Sequence, residues 1–414
     1  MDTITHGVAG ALIGKALFAD WAARQAEAAA SNDGVNPPLQ KNRDCTRQAA
    51  RQASRIAIFA TTLGSIFPDG DVVFGWFGGN NLATLELHRG WTHSFVFLPV
   101  FALALAALTC WVARRIGWAC PSFALLALAF AAGLAIHILF DLITSFGTMI
   151  WSPLSNVRAV WDLAFILDFV LSATVLLPQL AAWVYQPTAA DGRWLRRALA
   201  LWTLTSIGAV VVWWLARSFG VGFSAWVLAL TALLLAAIFF LPAVRSRGFT
   251  LSRAAWCRAG VLALAAYLGL CAFAHDRALA RVEQFAALRG LTVETIGALP
   301  APPSLANWSG LIRTPDGVYQ ARIDLLRPDP PDFRFFPDSP PNAWLDAARR
   351  LPAVKTYLWF ARFPVFRQFN ENGRAVVEMA DLRFFAQRRG ATAFTYRVEF
   401  AADGSVAAQR WVRE

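Results

Sequence analysis

The chain has 414 residues, 57% of them hydrophobic and only 16% charged, with a mean hydropathy of +0.44. Soluble domains carry about 25% charged residues, so this composition excludes an ordinary soluble protein and indicates a membrane protein. The net charge of +11 does not indicate nucleic-acid binding, because the arginines lie mainly in short loops between apolar runs, as the positive-inside rule predicts. Nucleic acid is therefore not an expected partner.

Apolar runs predict an all-α polytopic membrane bundle with about seven or eight transmembrane helices. Gly7 to Trp21 is a short apolar helix interrupted by Lys15, and the polar stretch from Arg24 to Arg55 is interpreted as a loop. Ile56 to Phe77 is apolar but is broken by the segment Pro68-Asp69-Gly70-Asp71. Six cleaner spans follow, each near the roughly 20 residues that cross a bilayer: Phe95–Val112, Phe123–Leu142, Leu163–Trp183, Ala198–Ala216, Phe223–Val244 and Ala255–Phe273.

The C-terminal part of the chain has a different composition. Hydrophobic runs shorten from His275 onward, and Pro, Arg and Asp become frequent. We therefore expect a transmembrane domain over residues 1–274 and a small α+β extramembrane domain over residues 275–414. In the latter, Gly317–Leu326 and Thr395–Phe400 have the pattern of β-strands, and Ala343–Arg350 has that of an amphipathic helix.

The loop charges predict the orientation in the membrane. Placing the arginine-rich loops on the cytoplasmic side leaves both termini, and with them the C-terminal domain, outside. For a bacterial inner (cytoplasmic) membrane, the outside is the periplasm. No cleavable signal peptide is expected, because the first residues lack a basic segment. The cysteines form no CxxC pair, so neither a disulfide framework nor a thiolate metal site is expected: Cys45, Cys110, Cys120, Cys257 and Cys271.

Four of the five histidines lie in the first third of the chain, each close to acidic or hydroxyl residues. Asp2 and His6, at positions i and i+4, share one face of a helix. In Pro68-Asp69-Gly70-Asp71, proline and glycine favour a turn that can direct both carboxylates at one centre. His88 and His93 enclose a glycine-containing segment, predicted to be a loop that wraps a site. His137 and Asp141 again have the i, i+4 spacing, near the end of a span.

Together these residues indicate a metal site within residues 1–170. Taken singly, each has an ordinary interpretation as a packing histidine, a solvated turn, an interface residue or a helix end. However, ionisable groups at membrane depth have a high free-energy cost and therefore indicate function. Imidazole with carboxylate is also the ligand mixture of catalytic zinc. The orientation deduced from the loop arginines also places these groups toward the outer side of the membrane, with His137 one helical turn deeper. We expect one or two divalent ions, with zinc as the expected metal. The predicted ligands are His6, Asp69, Asp71, His88, His93, His137 and Asp141.

Polar residues of this predicted site and near it have catalytic, orienting or interface interpretations. Asp71 is a candidate general base, and Arg89 either stabilises developing negative charge or lies at the interface. Asp162 and Asp168 open the next span. Asp162 is a candidate catalytic residue or an acid at a helix N-terminus, and either aspartate can orient a metal-bound histidine. His275 is interpreted as an interface residue.

These segments resemble a family of membrane-bound proteins of the YdjM/YfhP type, which are predicted metal-dependent hydrolases. The resemblance covers about residues 1–170, and the motif set is specific only when taken together. It implies that the seven predicted ligands are metal ligands or immediate site residues. The segments that carry the likeness are Asp2-Thr3-Ile4-Thr5-His6, Pro68-Asp69-Gly70-Asp71, His88-Arg89-Gly90-Trp91-Thr92-His93-Ser94, His137 to Asp141 with Thr144-Ser145-Phe146-Gly147-Thr148, Trp161-Asp162 and Ile166-Leu167-Asp168.

The sequence thus predicts a membrane-embedded hydrolase in which a metal activates water. A site at the membrane interface favours a lipid or lipid-linked ester or phosphoester as substrate. One alternative is a non-enzymatic metal-binding membrane protein, a transporter or sensor, although the last three predicted spans contain no Asp, Glu or His along a path. A second is a structural module whose C-terminal domain binds a partner, with the metal stabilising the fold.

Overall fold

The computed structural model describes residues 1–21, 40–73, 82–118, 120–186, 192–218, 224–386, 391–392 and 394–412. The chain divides into two compact units, each built from three separate segments. The first unit comprises Met1–Pro68, Phe95–Phe140 and Phe169–Tyr267. The second comprises Asp69–Ser94, Asp141–Asp168 and Leu268–Glu414. The second unit therefore contains two loop segments from the N-terminal half as well as the C-terminal residues.

Helices make up most of the described chain before the C-terminal β domain. Short stretches of 3₁₀ helix interrupt them at Phe67–Asp71, Trp91–His93 and Leu241–Ser246. In the part of the chain that the structure describes, the α-helices are α1 Thr3–Phe18, α2 Gln40–Gly64, α3 Ala83–Leu87, α4 Leu98–Arg115, α5 Phe123–Leu142, α6 Phe169–Val184, α7 Arg193–Ser218, α8 Ala225–Phe240, α9 Arg247–Thr250 and α10 Arg253–Leu288.

Five helical stretches are long and apolar enough to cross a bilayer, within the described ranges. Four of them lie in α4, α5, α7 and α10, and the fifth, Ala225–Val244, joins α8 to the start of the 3₁₀ helix that follows it. They confirm the prediction of a mostly helical membrane protein, and α5 has the predicted limits Phe123–Leu142. Helices α1 and α6 are apolar but have 16 residues each, shorter than the roughly 20 that a perpendicular crossing needs. The count of seven or eight crossings therefore stays a prediction.

Two sequence-based boundaries in this region were wrong. From Gln40 onward the stretch predicted as a loop is helix α2, while residues 24–39 and 74–77 lie outside the described ones. Gln, Arg and Ala, which fill this stretch, are strong helix formers, so its polarity marked a helix with a polar face rather than a loop. The span predicted to begin at Leu163 begins at Phe169, because Trp161, Leu163 and Ala164 donate backbone hydrogen bonds to Leu142 and Ile143 instead.

In the first unit, small residues bring α1 and α5 against α2. A Cβ atom at Gly10 of α1 would collide with the Ser65 hydroxyl, and one at Gly133 of α5 would collide with the Thr61 carbonyl oxygen. Glycine at these positions permits close backbone approach. Buried apolar residues that include Phe18, Ala57 and Phe130 complete the packing.

The C-terminal β domain has two four-stranded antiparallel sheets and a short hairpin, in the strand orders β1-β2-β3-β4, β10-β9-β6-β5 and β7-β8. The strands predicted from sequence are present as β3 and β9, and the predicted helix is present as α11. The elements are β1 Thr295–Ala301, β2 Asn307–Thr314, β3 Gly317–Asp324, β4 Arg334–Pro337, α11 Ala343–Arg350, α12 Pro352–Phe360, β5 Pro364–Glu371, β6 Arg374–Asp381, β7 Phe385–Ala386, β8 Ala391–Thr392, β9 Thr395–Phe400 and β10 Val406–Trp411.

Within the second unit, the loop segments Asp69–Ser94 and Asp141–Asp168 share a core with the β domain. Leu82 and Leu85 of α3 are buried together with Tyr357 and Phe360 of α12, and Phe146 packs against the same cluster. Helix α10 runs unbroken to Leu288, so the boundary predicted between residues 274 and 275 falls inside a helix. The loops that carry most of the predicted site residues thus rest on the β domain.

Candidate metal centre

Two histidines of the first unit lie face to face. The rings of His6 and His137 are stacked with their centroids 3.8 Å apart and an angle of 20° between the ring planes. Both side chains are buried. His6 lies in the first turn of α1, where the carboxylate of Asp2 caps the helix by accepting from the Thr5 backbone N–H at 2.9 Å. Asp2 therefore starts the helix that positions His6.

The neighbouring residue Ser65 fixes both histidines from the end of α2. Its carbonyl oxygen lies 2.7 Å from Nδ1 of His137 and accepts the hydrogen bond of that ring. Its hydroxyl donates to the His6 carbonyl oxygen at 2.9 Å. Because Nδ1–H is used in this way, Nε2 of His137 carries the lone pair, which is the arrangement of a metal-binding imidazole held by an outer partner.

In the second unit, His93 lies at the centre of a group of carboxylates. Its Nε2 atom is 3.2 Å from Oδ2 of Asp141 and 3.8 Å from Oδ1 of Asp69, and its Nδ1 atom is 3.2 Å from Oδ2 of Asp71. Burial alone would lower the pKa of His93, but the three carboxylates, Asp141 first, outweigh burial and raise that pKa to about 10. The ring is therefore fixed from both nitrogen atoms.

Asp71 organises the loop that follows it. Its carboxylate accepts from His88 Nδ1 at 2.7 Å, from the Arg89 backbone N–H at 3.1 Å and from the Thr92 hydroxyl at 2.9 Å. Burial raises the pKa of Asp71, but the hydrogen bonds from His88 and His93 outweigh burial and hold it well below its usual range. Arg89 has a φ of 63°, a left-handed conformation that is uncommon for arginine, and its N–H bond to Asp71 stabilises it there.

The guanidinium group of Arg89 is buried beside Asp141. It forms an ion pair with Oδ1 of Asp141 at 3.0 Å and donates to the Thr144 hydroxyl at 3.0 Å. It also lies over the Phe146 ring, 4.8 Å from its centroid. A buried carboxylate requires such a countercharge, so Arg89 balances the charge of Asp141.

A group of four side chains has the composition of a metal site. His6, Asp69, His137 and Asp141 each offer one ligand atom, and these atoms all lie within 4.8 Å of one another. Three of the four residues are buried. Two imidazole nitrogens and two carboxylate oxygens suit zinc and other borderline divalent ions, so this buried group could hold a metal ion.

The structure separates the predicted site residues into this group and its surroundings. His88, His93 and Asp71 lie outside the group of four and contact one another or its carboxylates. The turn predicted at residues 68–71 is a 3₁₀ helix. Both carboxylate oxygens of Asp162 accept from Nη1 of Arg362, at 3.1 and 2.8 Å, and Asp162 is not at a helix N-terminus. Asp168 accepts from the Ser304 hydroxyl at 2.6 Å.

Sequence reasoning missed several residues that hold the site in place. Ser65 acts through its hydroxyl and its backbone, and Thr92 and Thr144 lie inside motifs that were recognised only for their charged members. Arg158 donates to the carbonyl oxygens of Leu85 and Gly147 at 3.1 and 2.9 Å. A single arginine in a loop carries no pattern that distinguishes this role from the charge bias of the membrane topology.

These observations define a polytopic helical membrane protein with a buried histidine and carboxylate cluster. The sequence model of one family, described as YdjM inner membrane protein, matches residues 1–219. This match covers more than half of the chain, which therefore belongs to that family of multi-pass inner membrane proteins. All four residues of the buried group lie inside the match, and the β domain lies beyond it. No curated protein and no solved structure matches the chain.

Proposed function

We propose that this protein is a membrane-embedded, metal-dependent hydrolase whose metal is held by His6, Asp69, His137 and Asp141. The observation that carries the proposal is the mutual proximity of these four ligand atoms, within 4.8 Å, in a buried setting. A bound divalent ion, of which zinc fits the donors best, would lower the pKa of water toward neutrality and polarise the scissile carbonyl or phosphoryl group.

The surrounding residues have roles that follow from their contacts. His93 lies against Asp141 through one ring nitrogen and against Asp71 through the other, so in this proposal it holds the ligand Asp141 in place. Asp71, the predicted general base, orients the rings of His88 and His93 in this proposal. Arg89 offsets the charge of Asp141 and of an anionic substrate group.

A lipid or a lipid-linked ester or phosphoester is the proposed substrate class. Support comes from the membrane-protein family and from the apolar helices α1 and α5, which carry three of the four proposed ligands. The proposed orientation, with the site and the β domain on the periplasmic side, rests on the distribution of arginine alone.

The test begins with metal content. Wild-type protein purified in detergent and loaded with Zn²⁺ is compared with His137→Ala by elemental analysis. His275→Ala is the matched control, since it removes an imidazole whose neighbours are Asp276 and Trp308. We expect the wild type and the control to retain zinc, and His137→Ala to lose it. Negligible zinc in the wild type would contradict the proposed site.

Hydrolysis is tested on the same three proteins. They are incubated with vesicles of phosphatidylethanolamine and phosphatidylglycerol, and mass spectrometry follows released fatty acid, diacylglycerol and headgroup. We expect zinc-dependent product from the wild type and the control, which a chelator abolishes. Stoichiometric zinc without any product on these and lipid-linked phosphoesters would instead favour a non-enzymatic metal-binding membrane protein.

A further inference from the structure

We infer that Arg383 of the β domain is a positioning residue of the metal centre, acting through Phe146 on Arg89 and Asp141. The inference rests on the proposed function, because it concerns the same site. It assigns a role to the part of the chain beyond the family match, which ends at residue 219. All residues that it uses belong to the second unit.

Arg383 is buried and has a fixed geometry. Its side chain is 1% exposed and that of Asp381 is 0% exposed, and the two form an ion pair at 2.7 Å. Asp381 also accepts from the Arg383 backbone N–H at 3.1 Å. Nη1 of Arg383 reaches out of the β domain and donates to the Ser145 carbonyl oxygen at 2.9 Å, while Nη2 donates within the domain to the Phe360 carbonyl oxygen at 2.7 Å.

Ser145 and Phe146 lie shortly after the proposed ligand Asp141 in the chain, just beyond the end of α5. The link between them is Thr144, whose N–H and hydroxyl both donate to the Asp141 carbonyl oxygen, at 3.2 and 2.8 Å. The same hydroxyl accepts from Arg89 at 3.0 Å. A shift of the Ser145 carbonyl therefore moves the turn that fixes both Asp141 and its countercharge.

The Phe146 ring is the second connection between the β domain and the site. On one side it packs against Phe360 with a centroid separation of 5.0 Å. On the other it contacts the Arg89 guanidinium at 4.8 Å and the His88 ring at 5.8 Å. Arg383 itself lies over the Phe360 ring at 4.5 Å. The β domain thus provides the surface against which Arg89 is held.

A purely structural role for Arg383 and a positioning role have different consequences. Loss of a structural contact lowers the stability of the protein but leaves the zinc affinity of the folded fraction unchanged. Loss of positioning misorients Asp141 and weakens binding by protein that remains folded. Outer partners of metal ligands typically contribute about 10–100-fold in metal affinity, so the zinc dissociation constant separates the two roles.

The experiment measures that constant in full-length detergent-solubilised protein by competition with a chromophoric zinc chelator. Arg383→Ala is compared with Arg383→Lys and with Arg397→Ala, at a temperature where each is folded by circular dichroism. Arg397 lies in the same domain and pairs with Glu378 and Glu371. We expect zinc binding by Arg383→Ala to weaken at least tenfold, with partial recovery in Arg383→Lys and a change below twofold in Arg397→Ala.

The absorption spectrum of bound Co²⁺ gives a second readout, since its ligand-field bands report the geometry of the ligands. We expect Arg383→Ala to shift these bands and Arg397→Ala to leave them unchanged. If Arg383→Ala does not fold, Phe146→Leu serves instead, because it keeps an apolar side chain but removes the ring beneath Arg89.

The outcomes distinguish this inference from the proposed function. The positioning role alone would be overturned if the wild type binds zinc and folded Arg383→Ala binds it with an affinity within twofold of wild type and with an unchanged Co²⁺ spectrum. The same result in folded Phe146→Leu, where that variant replaces Arg383→Ala, would overturn it as well. Absence of zinc binding in the wild type would overturn both the site and the inference.

Discussion

Replacing Arg89 by methionine tests whether the charge on Asp141 is shared between arginine and a metal. The two side chains are 3% and 0% exposed, and removing one partner of a buried ion pair typically costs about 3–5 kcal/mol. Asp141 keeps its contact with His93 at 3.2 Å, which favours the lower end. Loss of the contact with Phe146 adds about 1 kcal/mol. We therefore expect metal-free Arg89→Met to be less stable by about 4 kcal/mol.

Bound zinc should restore most of the stability that Arg89→Met loses. A divalent ion beside Asp141 supplies the opposite charge that arginine provided, so the difference from wild type should fall to about 1–2 kcal/mol at saturating zinc. The assay is denaturant unfolding in detergent, with and without zinc. Arg410→Met is the control, because Arg410 is 59% exposed in its pair with Glu399 and such pairs contribute about 0–1 kcal/mol. An equal loss for Arg89→Met with and without zinc would refute the reasoning.

Three further predictions concern packing, an ion pair and topology. Gly133→Ala should destabilise the protein by about 1–3 kcal/mol in thermal unfolding, because its Cβ meets backbone atoms; Gly208→Ala, with nothing within 4 Å, is its control, and equal effects would contradict the packing account. Asp162→Asn should weaken the ion pair with Arg362, whose side chain is 24% exposed, and lower stability by about 1–2 kcal/mol. Its zinc content should stay at the wild-type level, and loss of zinc would instead make Asp162 part of the metal centre. A maleimide applied from the periplasm should label Asp403→Cys, and protection there would overturn the predicted orientation.

The sequence predicted those parts of the fold whose signal is local. A continuous apolar run specified α5 to the residue, and alternation with turn residues located β3 and β9. Prediction failed where local composition supports two structures. The residues from Gln40 to Arg55 are polar enough for a loop yet have high helix propensity, and the helix is the observed outcome. The start of α6 was misplaced because the backbone N–H groups of Trp161, Leu163 and Ala164 donate to carbonyl oxygens at Leu142 and Ile143. Pairing of this kind has no local signature.

For the candidate site, motif spacing identified all four members of the buried group but not what holds them. His137 and Asp141 are one helical turn apart, so their proximity follows from the i, i+4 rule. The roles of Phe146 and Arg383 do not follow from any spacing, because 237 residues separate them in the chain. Their contact depends on the packing of the β domain against the loop after Asp141, which only the tertiary structure reveals.

The local backbone explains why the two aspartates of Pro68-Asp69-Gly70-Asp71 have different partners. This segment is a 3₁₀ helix, in which successive residues are rotated by about 120° because there are three residues per turn. Residues i and i+2 therefore point about 240° apart and do not face one ion together. Asp69 joins the group with His6 and His137, whereas Asp71 turns to His88, Arg89 and Thr92. One carboxylate thus belongs to the candidate metal site, and the other orders the loop that carries His93 and Arg89, so a single short motif serves both the candidate site and its surroundings.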